Sequence, residues 1–344
     1  MSEAEVTRQG LGGVRPGREA RTWSHGGASA GAGAEGGRRR RRSEEGAFDH
    51  PGSSYYGKPI INPPVWEERD IAGYLFAGGL AGASSILAAG AELTGRPRMA
   101  RRSRLCAAAA LALSLVALVH DLGRPSRFLN MLRVFKPTSP MNVGSWLLGI
   151  YGPLNGAAVA SDVLGVAPRS GRAATVAAGA LGAGVAAYTS ALIANTAVPA
   201  WHEGHRELPF VFVGSAASAG AGFALIAAPG EESGPARRMA IAGAAGELGA
   251  ELLMERRLGM VAEALHAGRA GRRLKAAKAL TAVGAVGAAL SSRSRVASAI
   301  SGAALLTGSA LTRFGLFEAG MASARDPKYT VAPQRERLRA DRAG

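Results

Sequence analysis

Uncharged, largely apolar runs recur along this chain at residues 71–91, 105–119, 138–161, 173–202, 208–230, 279–292 and 296–312, and charge collects in the gaps between them. A hydrocarbon core of about 30 Å takes roughly 20 apolar residues per helix, so the longer runs suffice alone and the shorter ones draw on their flanks. Residues 236–254 add an eighth segment, apolar except for Glu247 and Glu251. The pattern predicts an all-α integral membrane protein with eight transmembrane helices, at about 70–92, 103–122, 143–165, 172–197, 208–228, 236–254, 274–291 and 295–318. A soluble helical bundle would need a polar stripe on each helix, and most of these runs have none. Small residues four apart, as at Gly78 and Gly82 or Gly152 and Gly156, let helix backbones approach closely. In a chain with 48 glycines, such spacing also arises by chance.

The apolar pattern divides the chain into three parts. Residues 1–54 are rich in Gly, Ser, Arg and Glu, lack apolar periodicity and include an unbroken run from Arg38 to Arg42, so a disordered basic tail is expected there. No apolar stretch follows those arginines before Ile71, which excludes a signal peptide. Residues 55–330 form the transmembrane domain, and 331–344 a polar C-terminal tail. The net charge of +16 fits loop arginines in a membrane protein. It does not suit nucleic-acid binding, since no basic face interleaved with stacking aromatics is present. Lys and Arg are equally numerous on the loops of the two faces, so the positive-inside rule leaves sidedness open. An even number of helices places both termini on one face, termed here the N-face.

Cofactor chemistry is narrowed by composition. Cys106 is the only cysteine, so the chain cannot by itself ligate an iron–sulfur cluster. The six histidines offer no opposed intramembrane pair for a haem: His25 and His50 lie in the tail, His202, His205 and His266 in loops, and His120 at a helix end. Polar groups do gather near the N-face. Asp70 and Tyr74 open the first helix, and His120, Asp121 and Arg124 close the second. Asn142 and Trp146 open the third, while Tyr188, Asn195 and Thr196 lie late in the fourth, before Trp201 and His202. Ionisable groups at membrane depth are costly and by default mark a site. Asp121 and Arg124, three residues apart, also have the simpler reading of an ion pair. A quinone ring needs hydrogen-bond partners for two carbonyl oxygens, an apolar slot and a proton route, and this constellation suits it. Glu92, with Glu247 and Glu251 on one helix face, is a candidate proton path; the alternative for the latter two is satisfaction inside a bundle.

Several longer stretches carry a resemblance. YLFAGGLAG in the first helix, DLGRPSRFLNML and SPMNVGSW across the second and third, YTSALIANTAVPAWHEGHRELPFVFVGSAASAG across the fourth and fifth, and GSALTRFGLFEAGMASARDP near the end together resemble the NrfD/PsrC family over about residues 65–330. These are integral membrane subunits of polysulfide, nitrite and related reductases and of some formate dehydrogenase-like complexes. The resemblance implies two four-helix bundles, with a quinone or quinol site in the first, menaquinone being the expected form. It also implies an iron–sulfur, ferredoxin-like partner and a molybdopterin catalytic subunit, with no haem or cluster in this chain. Tyr188 is similar in position to the helix-four tyrosine of the family's quinol site. Asp70, Tyr74, Asp121, Asn195 and His202 would complete the quinone surroundings, and loops bearing Arg124, Arg127 and Trp201 would dock the partner. Gly73 departs from the histidine that some relatives carry near this point, so the second quinone ligand stays open.

The expected function is therefore membrane anchor and quinone-reactive subunit of a respiratory oxidoreductase, without a redox centre of its own. A secondary transporter is the rival from another class, and its site would lie at the midplane among broken helices. Gly152 and Pro153 are one such candidate break. A purely structural anchor is the third reading.

Overall fold

In a computed structural model of the chain, the described residues are 5–7, 10–12, 60–121, 130–291 and 294–343. Two units are distinguished, Met1–Asp49 and His50–Gly344. Within the first, Glu5–Thr7 pairs antiparallel with Gly10–Gly12. The remainder of 1–54, and with it the expectation of a disordered tail, lies outside the described residues.

The second unit is helical. Its long helices are α1 Glu68–Leu93, α2 Pro97–Asp121, α3 Pro140–Leu164, α4 Pro168–Ala194, α5 Leu208–Ala227, α6 Gly234–Leu258, α7 Gly268–Leu290 and α8 Arg295–Arg325, followed by the polar α9 Lys328–Ala343. Short helical turns at Pro199–Glu203 and at Gly259–Ala262 and Glu263–His266 sit in the connections. Each predicted segment thus corresponds to one long helix.

Local chemistry sets the ends. Proline falls in the first turn of α3, α4, α5 and α6, where its missing N–H has no partner to lose. The Ser139 side chain accepts the Asn142 N–H at the start of α3, and Ser294 does the same for Ala297 at the start of α8. Gly165, at φ 68°, ends α3 in the left-handed conformation that a residue without Cβ adopts at no steric cost. Pro153 does not break α3, which runs through it to Leu164.

Six of the helices, α1 to α5 and α8, are long and apolar enough to cross a membrane. α6 and α7 are not, by that measure. α6 carries Glu247, Glu251 and flanking arginines, and α7 opens on GRAGRRLKAAK. The expectation of eight spans is met by composition for six.

α1 is the most enclosed helix, packing against α2, α4, α5 and α8. Further contacts join α2 to α3, α3 to α4, α5 to α6, α5 to α8, α6 to α7 and α7 to α8. Small residues make the closest of these possible. A Cβ on Gly82 would strike the carbonyl oxygen of Gly182, and one on Gly182 would strike that of Gly82; Gly222 of α5 and Gly302 of α8 stand in the same reciprocal relation. Without water between helices, such backbone proximity supplies much of the association through van der Waals contact. Gly82→Ala is therefore expected to destabilise by about 1–3 kcal/mol through forced separation of α1 and α4. Gly90→Ala on the same helix meets nothing within 4 Å and should leave stability equal or slightly higher. Equal thermal midpoints for the two variants in detergent would refute the packing argument.

Candidate functional site

Four helices and the segment before α1 enclose a cavity of about 260 Å3 at the N-face. α1 contributes Ile71 and Tyr74, α2 contributes Leu118 and Asp121, α3 contributes Met141, Ser145 and Leu148, and α4 contributes Tyr188 and Leu192. Val65, Trp66 and Met131 close it. The lining is mostly apolar, with two phenols, one carboxylate and one hydroxyl.

Tyr74 is 1% exposed, and its hydroxyl has no hydrogen-bond partner among the described residues. A buried hydroxyl left unpaired costs about 1–3 kcal/mol, so its presence in a cavity wall points to a ligand that accepts from it. Tyr188 is half-buried and makes no hydrogen bond among the described residues. Its ring lies so close to Gly144 of α3 that a Cβ there would overlap it. Ser145 is already engaged, donating to the Met141 carbonyl at 2.9 Å and lying 3.4 Å from the Met131 sulfur. Asp121 Oδ1 accepts from the Glu67 N–H at 3.5 Å.

Asp70 stands just outside the cavity, with its Oδ2 2.6 Å from His120 Nδ1. That pair ties the start of α1 to the end of α2, with Asp70 mostly covered and His120 largely in solvent. Asn142 and Trp146 fasten the connection before α3. The Asn142 amide donates to the carbonyls of Met131 at 2.7 Å and Val134 at 2.8 Å and accepts from the Lys136 N–H at 2.6 Å. The Trp146 indole N–H donates to the Val134 carbonyl at 3.3 Å. Asn142 thereby holds Met131 against the cavity.

Other predicted residues lie elsewhere. Asn195 and His202 line a separate cavity of about 490 Å3 with Ile61, Pro199, Glu203 and Tyr329. Trp201 is 1% exposed. It stacks on Trp66 with ring centroids 6.0 Å apart, packs on Phe317 and donates its indole N–H to the Leu316 carbonyl at 2.8 Å. It is packed in the core, at the connection expected to dock a partner. Arg124 and Arg127 lie outside the described residues. Glu92, at the opposite end of α1, is held by Arg104 at 3.0 Å and Arg172 at 3.4 Å, and Arg104 also reaches Asp162 at 3.0 Å. Glu207 is bonded by Arg257, with Arg257 Nε 2.6 Å from its Oε1, and this bond keeps its carboxyl below the usual range.

A second polar cluster lies in the core between α5, α6, α7 and α8. Glu247 is 1% exposed and accepts from the Thr312 hydroxyl at 2.8 Å, and Glu251 lies 3.7 Å from Lys278. Arg313 of α8 is 1% exposed, donates to the Phe212 carbonyl at 2.7 Å and lies 3.8 Å from the Phe212 ring centre. One oxygen of each glutamate and two nitrogens of Arg313 are buried without a hydrogen-bond partner among the described residues. Arg313 is not among the residues expected at a site, although an arginine inside segment 295–318 is itself a signal of a polar core. Ser145, Gly144 and Met131 were likewise missed; nothing in their identity distinguishes them from ordinary packing residues. Among the described residues, no group of three or more His, Cys, Asp or Glu side chains is arranged to hold a metal ion.

The family model described as "Polysulphide reductase, NrfD" matches residues 61–250, more than half of the 344-residue chain. The matched stretch contains every residue lining the 260 Å3 cavity, along with Glu247, and ends before Arg313. No curated protein matches the chain.

Proposed function

The chain belongs to the NrfD polysulphide reductase family and is a multi-pass membrane protein; on that premise, we propose that it is the quinone-reactive anchor of a multi-subunit respiratory oxidoreductase. The observation that carries this reading is the N-face cavity, in which the hydroxyls of Tyr74 and Tyr188 have no hydrogen-bond partner among the described residues. Its volume of about 260 Å3 falls just below the ~300–1,000 Å3 of sites that enclose a whole drug-sized ligand. It suits a ring with a long tail left outside. A quinone ring presents two acceptor oxygens, which matches two free phenol donors from different helices.

On this reading Tyr74 and Tyr188 donate hydrogen bonds to the ring oxygens and fix the ring between α1 and α4. Asp121, in the cavity wall, takes or returns a proton. The Asp70–His120 pair at the rim connects that carboxylate to the aqueous face. Reduction or oxidation of a quinone moves two electrons and two protons. The chain supplies the proton groups and excludes water, and the electrons pass to or from a docked subunit. That partner is an iron–sulfur, ferredoxin-like protein associated with a molybdopterin catalytic subunit. Menaquinone is the expected quinone.

α6 and α7 complete eight spans on this reading, as two four-helix bundles, α1–α4 and α5–α8. Their contacts support it, and so does the burial of Glu247 and Glu251 on the inner face of α6, away from lipid. Those two glutamates are the candidate proton groups of the second bundle. Glu92, with both oxygens held by arginines, is a weaker one.

The complex purified from native membranes in mild detergent is expected to retain an iron–sulfur partner and to exchange electrons with a short-tailed menaquinol analogue in a saturable way. Isolation of the chain without partner or quinone, and no response of any cluster to the analogue, would overturn the proposal.

A further inference from the structure

A groove of about 730 Å3 runs between α5 and α6 on the outer surface of the helical unit. Its walls include the exposed side chains Phe210, Val213 and Leu253, at 67%, 39% and 58% exposure. The floor on α6 includes Gly246 and Gly249, where an added Cβ would meet nothing within 4 Å. Such a channel is open where most helix contacts in this protein are closed.

Charge enters the lining at one end only, as Arg206 and Glu207. Glu207 is neutralised by Arg257. Arg206 is exposed and makes no ion pair or hydrogen bond among the described residues. Arg256, one turn beyond Leu253 on α6, is exposed and unpaired in the same sense. The mouth of the groove is therefore cationic and the rest apolar. Along α6 the lining runs from Met239 to Leu253, about 21 Å at ~1.5 Å per residue, which exceeds the ~15 Å depth of one leaflet.

We propose that this groove binds an anionic phospholipid, with one acyl chain lying over Gly246 and Gly249 and its phosphate paired with Arg206. The inference rests on α6 crossing the membrane. Charge complementarity selects this occupant: a cationic mouth at the interface, with Arg206 in the lining, above an apolar channel of leaflet length, matches one anionic headgroup and its tail. A second copy docked through the same face would bring two more cations, its own Arg206 and Arg256, to the interface and no anion to answer them. A transmembrane helix from another protein would fill the channel but would leave the cationic mouth without a partner.

The test is native mass spectrometry of the purified complex, delipidated and then titrated with phosphatidylglycerol or phosphatidylcholine. The parent complex should retain phosphatidylglycerol about five- to tenfold more strongly, the worth of one arginine at a headgroup. Arg206→Glu should erase that preference. Gly246→Leu with Gly249→Leu should remove retention of both lipids while leaving menaquinol turnover unchanged, which shows that the fold and the cavity at Tyr74 are intact. Equal retention of the two lipids by the parent, or full retention by the leucine variant, overturns the proposal. So does displacement of phosphatidylglycerol by a long-tailed quinone at equal concentration, or a protein cross-link formed through Gly249→Cys. Labelling of Gly249→Cys by a membrane-impermeant maleimide in intact membranes would instead overturn the crossing of α6.

Discussion

A Tyr74→Phe, Tyr188→Phe double variant is expected to be at least as stable as the parent and to lose menaquinol turnover by about 10³-fold or more. The two halves of that statement have one cause. Neither hydroxyl has a hydrogen-bond partner among the described residues, and Tyr74 is 1% exposed. Deleting a buried, unpaired hydroxyl removes a desolvation penalty of about 1–3 kcal/mol and creates no cavity larger than the oxygen. Donors aimed at developing charge in a water-excluded site are worth about 10²–10³ each when removed singly. Their loss should appear in kcat at saturating analogue, with the single variants each taking a share. Thermal unfolding in detergent, followed alongside turnover, separates the outcomes. A variant that unfolds several degrees earlier while turning over normally would show that the hydroxyls serve packing and that the ring binds elsewhere.

Arg313→Met should destabilise the protein by about 3–5 kcal/mol, the range for removing one member of a buried charge group. Methionine keeps an unbranched apolar stem but lacks the guanidinium, so the loss combines charge with the contact over the Phe212 ring. Glu247 would then keep the Thr312 hydroxyl and Glu251 the Lys278 ammonium at 3.7 Å, without the buried positive charge of Arg313 between α5 and α8. The Phe212 carbonyl would lose its donor as well. Adding Glu247→Gln to Arg313→Met should recover part of the loss, because a neutral amide no longer requires a counter-charge. Thermal inactivation midpoints of the four proteins in that cycle measure the coupling directly. Additive effects would mean that Arg313 stabilises through Phe212 alone and that the glutamates are satisfied by other groups.

Helix existence and order were legible because apolar runs of membrane length are a strong signal, and all eight predicted segments appear as long helices. Crossing was harder to read. α6 and α7 carry charge whose direction decides the matter, and a linear sequence does not say that Glu247 and Glu251 point inward. The residues expected around one ligand divide between places in the fold. Tyr74, Asp121 and Tyr188 share one cavity, while Asn195 and His202 fall in another and Trp201 in the core. The three residues Asn195, Trp201 and His202 follow α4 or sit at its end, where the chain turns toward α5. Proximity in sequence to Tyr188 therefore did not carry over into space. Asn142, one of the polar groups gathered near the N-face, uses both its amide oxygen and its amide nitrogen to fasten the connection from Met131 to Lys136.

The place of α1 decides how the chain can be taken apart. Ala83 of α1 lies where a Cβ on Gly220 of α5 would collide, and Ala216 of α5 and the Arg313 guanidinium stand over Gly79 of α1. A cut between α4 and α5 would thus sever no single hinge. It would strip the downstream fragment of a wall and leave a row of alanines and glycines facing lipid where a helix had been. Two such fragments, made separately, should be insoluble as individuals or found only as a pair. Any insertion meant to report on one half belongs in the outer connections, never along the seam that α1 fills.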